Sequence, residues 1–297
     1  MSREARGTAR SGRRAAESSA ASSSGRIVLV ATPIGNLEDL SARALRTLAS
    51  ADVVACEDTR HSGQMLARSG IRARRLLSLH AHNEAERGPY LVGLALLGET
   101  VAVISDAGMP TVSDPGRALV AEAVAAGVTV SVVPGPSASV TAIALSGFRA
   151  ERWHHEGFLP RKGQERAIRL AEIAASSVPS VLYESPGRVA ATIGDLGEAC
   201  GPTRRVVVAR ELTKAFEEVW RGSIAEFATR ADATERGEYV LVVDGAPPAP
   251  RRERGEIEAE LVARLADGAS RRAAVDAVAI VCGLSRREVY EVSLGLG

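Results

Sequence analysis

Apolar residues in this chain fall into short continuous runs separated by stretches of helical spacing, and the two kinds of segment alternate. RIVLVATP, from Arg26, reads as a buried strand, and Leu40, Ala44, Leu45 and Leu48 recur at helical spacing between Asp39 and Ser50. DVVACEDT predicts a second strand, followed by a helix near His61 to Arg68. LLSLH predicts a third, with a helix in PYLVGLALLG that ends at Gly98. VAVISD is the fourth strand, and a helix from Pro115 to Ala126 follows it and stops at Gly127. VTVSVVPG is the fifth, ahead of a helix from Ser137 to Leu145. Strands alternating with helices call for an α/β domain with a mainly parallel sheet, assigned to residues 26–150.

After Phe148 the alternation blurs. VLYES and RRVVVAREL predict strands around a helix near Arg188 to Ala199, and FEEVWRGS and EYVLVVDG lie close enough to pair antiparallel with a neighbour. Residues 151–245 are therefore expected to form a second α/β domain with a mixed sheet. GAPPAPRRERG reads as a linker, assigned to 246–254. Residues 255–297 predict three amphipathic helices, with Ser270 and Ser285 as N-caps and Gly283 in a turn, a spacing that permits a helix-turn-helix. Residues 1–25, rich in Ser, Ala, Gly and Arg and poor in apolar side chains, predict a disordered tail without the apolar core of a secretory signal.

Composition narrows the function. A net charge of +1 advertises no polyanionic partner for the molecule as a whole, so a nucleic-acid surface must be local. At 3% aromatic residues, a platform of stacked rings for RNA is disfavoured. Cys56, Cys200 and Cys282 stand far apart, which suits packed thiols in a reducing, cytoplasmic compartment. No apolar run approaches the 18 or so residues of a membrane span.

The strand ends carry the chemistry. Gly35 stands alone where a dinucleotide fingerprint needs three glycines, and no GxxxxGK[ST] phosphate loop occurs, so NAD and ATP are disfavoured. Four strands end in ThrProIleGly, CysGluAspThrArg, SerAspAlaGlyMetPro and ProGlyProSer. In a parallel sheet those ends share one edge, where ligands bind. Carboxylates and backbone amides with little positive charge suit a cationic or zwitterionic small molecule. Asp114 is expected to cap the helix that follows it. His80 and His82 have a metal-like spacing but no evident third ligand, and no metal is expected.

ATPIGNLEDLSARAL, CEDTRHSGQML, SDAGMPTVSDPG, VPGPSA and YESPGR, in this order, resemble the tetrapyrrole methylase superfamily. Within it they are similar to the 16S rRNA (cytidine-2′-O)-methyltransferases of the small ribosomal subunit. The resemblance implies two α/β domains with a small C-terminal helical domain, S-adenosylmethionine as cofactor, a homodimer, and 16S rRNA in the 30S subunit as partner. Carried over residue by residue, it implies cofactor contacts at Pro33, at Asp106, Ala107, Gly108 and Met109, at Pro134, Gly135, Ser137 and Ala138, and at Tyr183 and Glu184.

A ribose hydroxyl needs a nearby base, and Glu57, Asp58, Glu84 and Glu211 are the candidates, among which the sequence does not choose. Arg60, Asn83, Arg161, Lys162, Arg210 and Lys214 are the expected substrate contacts. Two alternatives stay open: a methylase acting on a corrin precursor or a translation factor, and a non-enzymatic nucleic-acid-binding regulator that uses the C-terminal helices.

Overall fold

The computed structural model describes residues 25–230, 236–248 and 253–296. The tail lies outside them except for Gly25, and so does the central part of the linker. Gly25 is not part of a loose tail. It is buried, and a Cβ there would fall 2.2 Å from the Ala95 carbonyl oxygen.

β1 (Arg26–Val30), β2 (Val53–Cys56), β3 (Leu76–Ser78), β4 (Thr100–Ile104) and β5 (Thr129–Val133) form one sheet in the order β3-β2-β4-β1-β5, every pair parallel. Both faces are covered, which is why the strands read as unbroken apolar runs. Ile27, Val53, Val101 and Val103 pack on one face against Leu91 and Leu94 of α3 (Glu84–Leu96) and Leu119 of α4 (Arg117–Ala125). Val28, Val54, Cys56 and Ile104 pack on the other, against Ala44 and Leu48 of α1 (Ala42–Ser50) and Leu66 of α2 (Thr59–Arg68). α1 opens on a Ser41 cap after a 3-10 turn at Leu37–Asp39, so the helix predicted from Asp39 starts three residues later. α3 begins before Pro89 rather than at it, one turn earlier than the apolar spacing suggests.

β6 (His154–Phe158), β7 (Ser180–Glu184), β8 (Arg205–Arg210), β9 (Glu218–Ser223) and β10 (Tyr239–Val243) form a second sheet, ordered β6-β7-β10-β8-β9. β10 runs antiparallel to both β7 and β8, β9 antiparallel to β8, and only β6 and β7 are parallel. β6 has no apolar signature. It is an edge strand of sequence HHEGF with an irregularity between His155 and Gly157, so polar side chains are tolerated there. One face of this sheet is covered by α6 (Gln164–Ala175) and α7 (Val189–Cys200) through Leu170, Ile173, Ile193 and Leu196.

The other face decides the architecture. Val181, Val207, Val240 and Val242 pack against Ala142 and Ile143 of α5 (Ala138–Ser146) and against Ile34, just past β1. Both sheets thus belong to one compact unit, which ends at Gly245.

A second unit begins at Ala246 and holds α9 (Arg254–Ala266), α10 (Arg271–Cys282) and α11 (Arg286–Ser293); α8 is the short Ile224–Ala228 after β9. Ser270 and Ser285 accept hydrogen bonds from Ala273 N and Glu288 N, and Gly283 ends α10 at φ +63°. Leu261, Val275, Val278 and Val289 form this unit's own core. Arg254, Arg264, Arg286 and Arg287 are each paired with a carboxylate within the unit.

Candidate active site

The order β4-β1 puts the loops after these two strands side by side. Thr32 N donates to Gly108 O (2.9 Å), and Gly108 N donates to Thr32 O (3.1 Å), an isolated antiparallel bridge. The buried Thr32 hydroxyl donates to Ser105 O (3.1 Å). Together these bonds hold the Asp106–Pro110 turn against the β1 exit.

The turn is conformationally costly. Thr111 (φ +74°) and Ser113 (φ +65°) are left-handed without being glycine, and Gly108 is at φ +79°. The non-glycine left-handed positions among the described residues are these two plus Glu211 (+52°) and Thr213 (+66°), which lie on the loop after β8. All four belong to loops that wall the same cleft, as expected where backbone strain serves a site. The β8 loop is held by Glu211, whose carboxylate accepts from Lys214 Nζ (2.8 Å) and Glu238 N (3.0 Å). The Thr213 hydroxyl accepts from Asn36 N (3.1 Å), latching the loop onto the β1 exit.

Between the two sheets lies a cavity of about 410 Å³. Asp106, Ala107, Gly108, Met109, Val112, Ser113, Asp114, Ser137 and Ala138 line one side; Phe158, Tyr183, Leu212, Tyr239 and Val240 line the other. Tyr183 stands edge-on to His155 (5.2 Å between ring centres) and Phe158 (5.6 Å), and Ser113 Oγ lies 3.1 Å from His155 Nε2. Among the described residues no Lys or Arg lines the cavity. Its charge is acidic.

Asp114 is the largest departure from expectation. α4 starts after Gly116 (φ +112°), one turn position beyond the reach of an Asp114 cap, and no side chain of the helix's own N-cap bonds its first turn. Instead Glu84 does so from a distance: its Oε1 accepts from Gly116 N (3.1 Å), Ala118 N (2.8 Å) and Leu119 N (3.1 Å). Asp114 is left facing the cavity. Burial, with the Glu57 and Asp106 charges adding to it, pushes its pKa up to about 6 against the pull of the Ser105 hydroxyl. Glu57 is raised as well, first by burial and then by Asp106, with His80 opposing. Asp106 Oδ1 accepts from Asp58 N (3.3 Å).

The other expected residues sort by their bonds. Asp58 caps α2, accepting from Arg60 N (2.8 Å) and His61 N (3.3 Å), which holds its carboxyl below the ordinary range. Glu84 is the α4 cap and not a base. Asn83 braces a turn, accepting from His80 N and donating to Ser78 O, and is not a free substrate contact. Glu211 is bound to Lys214, its pKa lowered by that bond, and Lys214 also bonds Glu238 (2.9 Å). Glu184 has a fully buried side chain whose carboxylate accepts from Thr192 Oγ1 (2.6 Å) and Ser185 N (2.8 Å) and pairs with Arg188 (3.4 Å). That carboxylate is committed to bonds inside the fold, although Glu184 itself borders the cavity. Pro134 and Gly135 stand outside the cavity wall; Gly135 lets β5's exit lie against Ala31, where a Cβ would meet another at 3.0 Å. Arg60, Arg161 and Lys162 are exposed and line neither cavity. Arg210 is tied to Glu218 (3.7 Å) and Arg236 O (3.1 Å).

Pro33 and Lys214 line a second cavity, of about 450 Å³, on the far side of the same loops. Ile34, Asp106, Ala107 and Glu238 border both. His61, Gln64, Met65 and Arg68 of α2 form its outer wall. Among the described residues, no group of three or more His, Cys, Asp or Glu is arranged to hold a metal ion.

Comparison with known proteins adds the lineage. The model of the tetrapyrrole (corrin/porphyrin) methylases matches residues 26–228. The ribosomal RNA small subunit methyltransferase I of Mesorhizobium japonicum is 44% identical over 259 residues, 86% of this chain and 87% of that protein. Its namesake from Synechocystis is 40% identical over 275 residues, 92% and 98% of the two chains. Among solved structures, a uroporphyrin-III C-methyltransferase from Thermus thermophilus in complex with S-adenosyl homocysteine superposes with a TM-score of 0.54 at 21% identity, over 74% of this chain and 97% of that one.

Proposed function

This chain belongs to the tetrapyrrole methylase family, in its ribosomal RNA small subunit methyltransferase I branch, and we propose that it methylates 16S rRNA with S-adenosylmethionine as donor. The acceptor is the ribose 2′-oxygen of a decoding-region cytidine, presented on the 30S particle. The enzyme works in the cytoplasm as a homodimer.

The observation that carries this reading is the 410 Å³ cavity, acidic and largely apolar, with no Lys or Arg in its wall among the described residues. A triphosphate would be repelled there. A cofactor with net positive charge fits, and Gly108 presents bare backbone at φ +79°, a conformation that other residues rarely adopt. Asp106, Gly108 and Met109 would hold the cofactor from the first sheet, with Ser137 and Ala138 beside them and Tyr183 opposite. Bound there, S-adenosylmethionine supplies an already activated methyl group, so alignment and exclusion of water matter most.

The chain's own groups answer to that need. Phe158, Leu212 and Val240 keep the inner wall dry. Asp106 stands where the two cavities meet, its carboxylate fixed by the Asp58 amide. A ribose hydroxyl is a weak acid, so its proton is best taken by a carboxylate of raised pKa. Of the four candidate bases, Glu57 alone has neither a cap nor an ion pair to give up among the described residues; it directly follows β2, lines neither cavity itself, and burial and the Asp106 charge raise its pKa. We assign it the proton.

Mass mapping of 16S rRNA tests the reading. A strain without this gene should lack one ribose methyl at a decoding-region cytidine, and the purified protein should restore it on 30S particles. Glu57→Gln should bind S-adenosylmethionine normally by calorimetry yet restore the methyl at least tenfold more slowly, the low end of general-base contributions. Methylation that persists in the deletion strain would refute the substrate assignment, and an undiminished rate would refute the base.

A further inference from the structure

The second cavity shares Ile34, Asp106, Ala107 and Glu238 with the first, but the rest of its lining differs in chemistry. One wall is the β1 exit, Pro33 to Leu37, fixed where Gly35 lets the Leu212–Lys214 segment close in; a Cβ on Gly35 would fall 2.5 Å from Lys214 Cγ. The facing wall is a single stripe of α2. His61, Gln64 and Arg68 are spaced by three and four residues, so they share one helix face. All three are exposed.

Their bonding sets them apart. Lys214, across the cavity, is held by Glu211 (2.8 Å) and Glu238 (2.9 Å); burial opposes its charge, and these two bonds more than offset that. It is a structural cation. Arg68 has no carboxylate partner among the described residues, and neither Gln64 nor the ring nitrogens of His61 make a side-chain hydrogen bond there. An arginine fork, an amide and an imidazole on one stripe are left free, facing a cavity that reaches Asp106 and Ala107. Phosphate contacts position a nucleic acid, and amide or imidazole groups hydrogen-bond a sugar or a base edge. At about 450 Å³ the space lies within the range of small-ligand sites.

The geometry points to this α2 stripe as the seat of the target nucleotide, with Arg68 binding an RNA phosphate next to the ribose to be methylated. The inference rests on the rRNA reading above and deepens it. A nucleotide seated there would have its sugar against the Asp106–Ala107 wall, with the donor cavity directly behind. It also accounts for a near-neutral protein acting on RNA: one free arginine beside the reaction centre orients the acceptor without a broad basic surface.

The test uses the full-length protein and 30S particles from a strain lacking the methyl. Arg68→Ala should raise KM for 30S on the order of tenfold, the loss of one charge-assisted hydrogen bond, while S-adenosylmethionine affinity by calorimetry stays at the wild-type value. A plot of log affinity for 30S against log salt should become shallower by about 0.7–0.9, one phosphate contact. Arg68→Lys should keep the salt slope and recover part of KM, since the charge remains and the fork is lost. Arg72→Ala, an exposed arginine lining neither cavity, should change none of these. Wild-type KM and slope in a folded Arg68→Ala protein would overturn the inference, as would lost cofactor affinity. Failure of the wild-type protein to methylate 30S would instead overturn the activity on which it rests.

Discussion

Asp114 offers a test in which the fold and the site pull in opposite directions. Its carboxyl is buried beside Glu57 and Asp106, which lifts its pKa from the ordinary 3.8 to about 6. Such an acid binds more protons folded than unfolded. Stability is therefore undiminished below pH 3.8, is lost as the pH rises from there to about 6, and is flat above that. Raising the pKa from 3.8 to about 6 corresponds to about 3 kcal/mol. The group keeps substantial access to solvent, and screening brings this to roughly 1–2 kcal/mol. Asp114→Asn keeps the shape and removes the charge, so at pH 8 it should raise the melting temperature by roughly 2–6 °C for a chain of this size. Near pH 4 the difference should shrink toward zero. The same variant removes a carboxylate from the cofactor cavity. Calorimetry at pH 8 should show weaker binding of S-adenosylmethionine and a smaller loss for S-adenosylhomocysteine, which carries one positive charge fewer. A melting difference independent of pH, or a variant less stable at pH 8, would refute the argument from burial and like charge.

Two further outcomes follow from the loops. Gly108→Val forces a β-branched residue to φ +79° and sets its side chain against Ile34; S-adenosylmethionine binding should be abolished by calorimetry while far-UV circular dichroism is retained, and unchanged affinity in the folded variant would sink the contact. Glu84→Ala should cost roughly 1–2 kcal/mol of stability by denaturant titration, since three amides at the start of α4 lose their acceptor, and kcat should hold in the folded fraction. A collapse of kcat with unchanged stability would return Glu84 to the list of bases.

What local pattern decides was legible along the chain. β1, β2 and β4 are buried on both faces, so their apolar runs stand out, and the helices between them require parallel pairing. Strand ends on one edge were readable as a candidate site, and those of β1, β4 and β5 border the cavities while that of β2 does not; Ser270 and Ser285 were readable as caps because a cap acts within three residues. The tertiary structure decided whatever depends on a distant partner. β6 could be polar because it is an edge strand, which HHEGF alone cannot reveal. Glu84 caps a helix more than thirty residues away, and by doing so releases Asp114 to the cavity; in sequence Asp114 is much the nearer to α4 and looks like its cap. Glu184 and Lys214 carry the charges of ligand contacts, yet Thr192, Arg188, Glu211 and Glu238 already occupy them. Arg68 is the reverse case, a helix arginine like many others until the fold leaves it, among the described residues, without a carboxylate on the wall of a cavity. Charge is written in the sequence, but whether a charge is free is settled only by what the chain folds beside it.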